Sequence, residues 1–167
     1  MSMIGEYARL TPAELERAVR DPNWALEFIH ELIEAGTDET TGARQPRCLD
    51  IDKAWDTLGF LLRRTEFPID VVHGEEEIPG AEDWGYGPPR FLTPEQVNAA
   101  AAALAELSSD ALVQGVTEAE LVQADLYPNI AGEGLQRLKY ATHHYDALVP
   151  FFQAAATAGD TVVVWLD

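Results

Sequence analysis

The sequence predicts a single α+β domain over residues 1–167, in which a small sheet packs against several helices. The last segment, TVVVWLD at 161–167, is rich in β-branched residues and apolar on both faces, which is typical of a buried strand. The segment MIGEYARL at 3–10 also favours a strand. Apolar residues between these segments recur mostly at helical spacing, so we expect both terminal strands to join one sheet that helices cover.

Two helices follow the first strand, and each has a clear N-terminal signal. Thr11 is an N-cap, a proline occupies the first helical position, and Glu14 completes a capping box. The second helix starts from an Asp21 cap and ends at Gly36. A polar loop is predicted for residues 37–47.

The stretch CLDIDKAWDTLGFLLRRT, residues 48–65, contains the start of the next predicted helix. Asp50 lies at the N-cap position and Asp52 in the first turn, where carboxylates favour the start of a helix. Trp55 belongs to the apolar side, which continues at helical spacing through the segment. Capping therefore explains these aspartates without a functional site.

One face of this helix has a second interpretation. Asp52 and Asp56 are four residues apart and share that face, and Lys53 is placed to pair with Asp56. Gly59 extends the face, and because glycine inside a helix costs about 1 kcal/mol, it suggests that a ligand or another backbone approaches closely. Surface pairing and a binding site both remain open for the Asp52–Asp56 face.

Residues 66–90 contain too many prolines and glycines for a helix and are predicted to be irregular. Near their end, the sequence DWGYGPPR fixes a tight turn that presents Tyr86. Trp84, Tyr86 and Arg90 are residue types that recur at binding hot spots. They form either a ligand or partner surface, or a loop that its two aromatic residues anchor on the core.

Three helices are predicted in the C-terminal half. Thr93 and Gln96 open an alanine-rich helix with a capping box, and Thr117 caps a short one. The longest helix spans 133–159, with a kink expected at Pro150. Its predicted apolar face consists of Leu135, Leu138, Ala141, Tyr145, Leu148, Phe152 and Ala155.

The chain is strongly acidic, with 29 Asp and Glu against 11 Lys and Arg and a net charge of −18. Such a charge repels phosphate backbones and anionic lipids, so we expect no nucleic-acid and no membrane function. It suits a solvated surface or a basic protein partner. Since the N-terminus lacks a signal-peptide pattern and Cys48 is the only cysteine, the predicted localisation is cytoplasmic.

No motif predicts a metal, a cofactor or a catalytic residue. HELIE at 30–34 has one of the two histidines that the zinc-protease helix requires. HGEEE at 73–77 lacks the spacing of a calcium loop. His143 and His144 point about 100° apart on a helix, so they are poorly placed to share a ligand.

Several long segments resemble the YfbM-like family of small bacterial proteins of unknown function. They are MSMIGEYARL, LDIDKAWDTLGFLL, GYGPPRFLTPEQV, LYP and FFQAAATAGDTVVVWLD. The resemblance covers essentially the whole chain and implies one α+β domain in the bacterial cytoplasm, with no established activity. Relatives often have histidine in place of Gly59, so a shared reaction that needs that imidazole is not expected here.

Two hypotheses of function follow. The leading one is a non-catalytic interaction protein whose partner has a basic surface, by analogy with immunity proteins. The alternative is a small-molecule-binding domain or enzyme with a pocket between the 84–90 loop and the Asp52–Asp56 face, where Arg90 binds an anionic group. The candidate binding residues are Asp52, Asp56, Trp84, Tyr86 and Arg90.

Overall fold

The two terminal segments pair side by side in the middle of one antiparallel sheet. The computed structural model describes residues 2–36, 46–129 and 133–167. Its strands are β1 (Gly5–Leu10), β2 (Cys48–Asp50), β3 (Glu76–Glu77), β4 (Arg90–Leu92) and β5 (Thr161–Leu166), in the order β2-β1-β5-β4-β3. β1 and β5 pair from Gly5 opposite Leu166 to Leu10 opposite Thr161. The predicted α+β class, with both terminal strands in the sheet, is confirmed.

Helices cover both faces of this sheet. They are α1 (Pro12–Arg20), α2 (Pro22–Gly36), α3 (Trp55–Arg64), α4 (Pro94–Glu106), α5 (Ser109–Val113), α6 (Glu118–Ala124) and α7 (Gly134–Ala158). On one face, Ile29 of α2 is buried in the same cluster as Val163 of β5. On the other face, Leu58 of α3 and Phe152 of α7 are buried with Val164. Within the described residues, no helix combines the length and the apolar character that a membrane span requires.

The N-terminal signals of the helices form as predicted. Thr11 and Glu14 make a reciprocal capping box at α1, and Thr93 and Gln96 make a second at α4. The carboxylate of Asp21 accepts a backbone N–H of the first turn of α2 at 3.1 Å. Because a cap contributes typically about 1 kcal/mol from local contacts alone, it fixes where each helix begins.

The segment 48–65 differs from the prediction at its start. Cys48–Asp50 is strand β2, paired with β1, and α3 begins only after a short 3₁₀ helix at Asp52–Ala54. The prediction of Asp50 as the N-cap of a long helix was therefore wrong. Its carboxylate instead accepts the N–H of Asp52 at 3.1 Å, a local bond of the kind with which short polar side chains compete with helix formation.

Other differences concern short elements. Strands β3 and β4 take part of the segment 66–90 that was predicted to be irregular, and α5 follows α4 as a separate turn of helix. Such elements contain too few residues for apolar periodicity to appear.

Leu135, predicted on the buried face of α7, is 70% exposed because it lies in the first turn. Most of the predicted polar loop, residues 37–45, lies outside the described residues.

Candidate functional site

A cleft of about 390 Å³ lies where the 3₁₀ helix and the start of α3 face the N-terminal half of α7. We call it the α3–α7 cleft. Its lining residues are Asp52, Lys53, Thr57, Pro128, Glu133, Gln136, Arg137 and Tyr140. The charged residues of this lining are Asp52 and Lys53 on one side, and Arg137 of α7 and Glu133 just before α7 on the other. The lining therefore contains two acidic and two basic residues.

Asp52 and Tyr140 join the two walls of the cleft. The hydroxyl of Tyr140 donates a hydrogen bond to the carboxylate of Asp52 and accepts the N–H of Lys53 at 3.2 Å. Asp52 has a φ of +48°, a left-handed conformation that aspartate tolerates better than most residues. The turn at residue 52 is therefore held in place by α7 as well as by its own backbone.

Tyr140 remains a neutral phenol near pH 7. Burial, together with the hydrogen bond to Asp52, raises its pKa to about 12. The ring of His144 packs edge-on against that of Tyr140, with the centroids 4.8 Å apart. Burial and the neighbouring His143 lower the pKa of His144, so its imidazole is uncharged at neutral pH. Tyr140 thus presents a neutral, hydrogen-bonded hydroxyl at the wall of the cleft.

The segment before α7 is fixed to α3 by a second set of contacts. The carboxylate of Asp56 accepts the N–H of Tyr127 at 2.8 Å. Arg137 donates to the hydroxyl of Thr57 at 3.1 Å and to the carbonyl of Pro128. Asp56 and Arg137 therefore hold the floor of the cleft together, and the role of Asp56 in these contacts is structural.

Three polar side chains of the cleft are available to a ligand. Within the described residues, Lys53, Glu133 and Gln136 make no side-chain hydrogen bond or ion pair, although they converge on the same space. The predicted ion pair between Lys53 and Asp56 does not form. A ligand in the cleft would meet an ammonium, a carboxylate and an amide that have no competing partner there.

The 84–90 loop lies elsewhere on the molecule. Trp84 is 6% exposed and packs edge-on against Trp165, with ring centroids 5.5 Å apart. Gly85, with a φ of +110°, brings the turn against the end of β5, where the N–H of Tyr86 donates to the carbonyl of Leu166 at 2.9 Å. Tyr86 itself is 43% exposed. Trp84 thus anchors the loop and leaves Tyr86 as its exposed aromatic residue.

Arg90 uses its donors within the fold. It donates to the carbonyls of Gly74 at 3.2 Å and Glu75 at 2.8 Å, and to the carboxylate of Glu77 at 3.2 Å. These bonds hold the segment before β3 against β4. Of the five residues predicted to bind a ligand or partner, Asp52 lines the α3–α7 cleft, whereas Asp56, Trp84, Tyr86 and Arg90 are not among its lining residues. Their assignment as a binding surface stays a prediction.

The described parts of the chain contain no group of three or more His, Cys, Asp and Glu side chains arranged to hold a metal ion. Cys48 is half-buried, and burial raises its pKa to about 11, so it is a protonated thiol at neutral pH.

Comparisons with known proteins give a family and a fold. A family model described as a domain of unknown function, DUF1877, matches residues 1–165. Among solved structures, the chain is similar to YfbM from Escherichia coli, described as a protein of unknown function, with 20% identity and a TM-score of 0.68 over 99% of this chain and 100% of that chain. No match is found among the curated proteins. At this identity, the likeness to YfbM shows the fold alone.

Proposed function

The chain belongs to the DUF1877 family, whose function is unknown, and we propose that it is a non-catalytic binding protein of the bacterial cytoplasm. Its ligand is a small molecule that carries both an amino and a carboxylate group and binds in the α3–α7 cleft. The observation that carries this proposal is the convergence of Lys53, Glu133 and Gln136, which have no side-chain partner among the described residues, beside the Asp52–Tyr140 pair.

The charge of the cleft supports a zwitterionic ligand. Asp52 and Glu133 are acidic, Lys53 and Arg137 are basic, and the two signs cancel, although the whole chain has a net charge of −18. A simple anion or cation therefore meets as much repulsion as attraction. A molecule with both charges can place its ammonium near a carboxylate and its carboxylate near Lys53. The volume of 390 Å³ lies within the range of small-molecule sites, about 300 to 1,000 Å³.

The protonation states of the cleft favour binding over catalysis. General acid–base catalysis works best with a group whose pKa lies near the working pH. The pKa of Tyr140 is about 12, far above that range. The hydrogen bonds of Arg137 and Asp56 are used to hold the backbone of the segment before α7.

A thermal-shift screen tests the proposal. We expect a matching amino acid or similar zwitterion, at ten times its Kd, to stabilise the protein by about 1.4 kcal/mol, which raises Tm by roughly 3 to 6 °C. The matched amine without the carboxylate, and the acid without the amine, should give less than half of that shift. An equal response to all three compounds would contradict the zwitterionic class.

The substitution Lys53→Ala should weaken binding of such a hit about fivefold, because it removes the free cation of the cleft without altering Tyr140. Lys139→Ala is the matched control, since Lys139 is exposed on α7 and is absent from the cleft lining. Isothermal titration calorimetry measures both affinities. Unchanged affinity in Lys53→Ala would place the hit outside the α3–α7 cleft.

A basic protein partner is the second candidate, favoured by the net charge of −18. An acidic surface of this kind steers a basic protein and neutralises it, as immunity proteins do. This hypothesis predicts an association that weakens steeply with salt, because surface charges are screened within about 10 Å at 0.1 M ionic strength. If no compound in the ligand screen shifts Tm, and one basic protein is captured in a salt-sensitive way, the results would favour the protein-partner hypothesis.

A further inference from the structure

A second cleft, of about 440 Å³, lies between β1 and the C-terminal half of α7. We call it the Arg9 cleft. Besides Arg9, its lining consists of Pro150, Gln153, Ala154, Thr157 and Ala158. These five residues follow the three- and four-residue spacing of one helix face. None of these five residues is charged, so among the described lining residues the charge is carried by Arg9.

Arg9 is buried with a donor that has no acceptor. The residue is 9% exposed, its Nε donates to Oδ2 of Asp160 at 3.0 Å, and its Nη2 lies 3.0 Å from the same oxygen in an ion pair. Its Nη1 is buried and has no hydrogen-bond partner, a state found for no other side-chain nitrogen or oxygen in the described parts of the chain. Because buried donors in native proteins are nearly always paired, Nη1 requires an acceptor that the described chain does not supply.

We propose that the Arg9 cleft binds a monocarboxylate with a compact apolar body. Asp160 occupies the Nε–Nη2 edge of the guanidinium, which leaves the Nη1–Nη2 edge for a second carboxylate in the two-bond geometry that arginine favours. The apolar body of the ligand packs on Pro150 and Ala154. The carboxylate supplies the acceptor that Nη1 lacks.

The charge of the surroundings and the exposure of two lining side chains favour this class of ligand. Asp160 already balances the charge of Arg9, and the chain carries a net charge of −18, so anions with several charges are disfavoured. Nη1 is shielded from solvent, so the carboxylate of the ligand reaches it only when the side chains of the cleft lining move. Gln153 and Thr157 are exposed and make no side-chain hydrogen bond within the described residues, so they are free to rotate.

NMR titration with benzoate tests the proposal, with benzamide as a probe of the same shape without the charge. We expect benzoate to shift the Nε–H resonance of Arg9 and the amide of Thr157 with saturation, and benzamide to bind at least tenfold more weakly. Ala154→Leu fills the cleft and leaves the ion pair intact, so it should weaken benzoate binding at least tenfold. Ala102→Leu, at an exposed position of α4, is the matched control.

Any one of four results would overturn the proposal that the Arg9 cleft binds a monocarboxylate. These results are shifts that grow without saturation, equal affinity for benzoate and benzamide, tighter binding of inorganic phosphate, and unchanged binding in folded Ala154→Leu. If Ala154→Leu fails to fold, Thr157→Leu fills the same cleft from an exposed position. Lys53→Ala should leave benzoate binding unchanged, so this site and the α3–α7 cleft succeed or fail separately.

Discussion

We expect the substitution Asp160→Ala to lower the free energy of unfolding by about 3 to 5 kcal/mol. The pair that it breaks lies between β1 and the turn before β5, with side chains 10% exposed for Arg9 and 7% for Asp160. Removing the carboxylate leaves the guanidinium of Arg9 buried without a counter-ion. Urea denaturation of the variant, followed by circular dichroism, measures the loss.

Two further variants separate this effect from the loss of any ion pair. Glu77→Ala breaks the pair with Arg90, but Glu77 is 81% exposed, so the expected loss is below about 1 kcal/mol. The double change of Arg9→Met with Asp160→Ala removes both charges and should recover most of the stability, because an apolar replacement avoids the desolvation penalty. Equal losses in Asp160→Ala and Glu77→Ala would contradict the argument.

The parts of the fold that the sequence predicts depend on neighbouring residues. Thr11, Thr93 and Thr117 each cap a helix through a bond to a residue three positions later, so a window of four residues contains the whole signal. β5 was predicted because its valines are apolar on both faces, and the structure buries both faces under helices. Such features need no knowledge of the rest of the chain.

The features that escaped prediction depend on distant residues. Arg9 and Asp160 are 151 positions apart, and nothing in either neighbourhood specifies the partner. β2 has only three residues, and it is a strand because β1 offers an open edge to it. Apolar residues recur at helical spacing from Ile51 through α3, which led to the prediction of one long helix with Asp50 as its cap.

In the candidate site, too, the features that depend on neighbouring residues were predicted and the contacts between distant residues were not. Asp52 was singled out by its charge and its position, and it does line the α3–α7 cleft. Its hydrogen-bond partner, Tyr140, is 88 residues away. The apolar spacing around Tyr140 predicts a helix there, but it does not indicate a contact with Asp52. Arg90 was predicted to bind an anionic group of a ligand, but its partners Gly74 and Glu77 lie in a segment whose sequence does not indicate pairing with Arg90.

Glu6 carries the second prediction, a stability that depends on pH. It lies on β1 opposite Asp50 of β2, near the C-terminal Asp167. Burial, followed by the charges of Asp50 and Asp167, raises its pKa from 4.5 to about 7. Between these values the folded protein retains a proton that the unfolded chain releases, so this stabilising contribution is complete below pH 4.5 and is lost as the pH rises through 7.

We therefore expect Glu6→Gln to stabilise the protein at pH 8 by about 1 to 2 kcal/mol relative to the parent, a value reduced for the partial exposure of Glu6. At pH 4 the two proteins should differ little, because both then carry a neutral side chain at this position. Glu16→Gln, at an exposed position of α1, serves as the control and should give no such difference. Urea denaturation at both pH values measures the effect. A gain of the same size at pH 4 and pH 8 would mean that the amide improves packing, and that neither the burial of the Glu6 charge nor its repulsion by Asp50 and Asp167 limits stability.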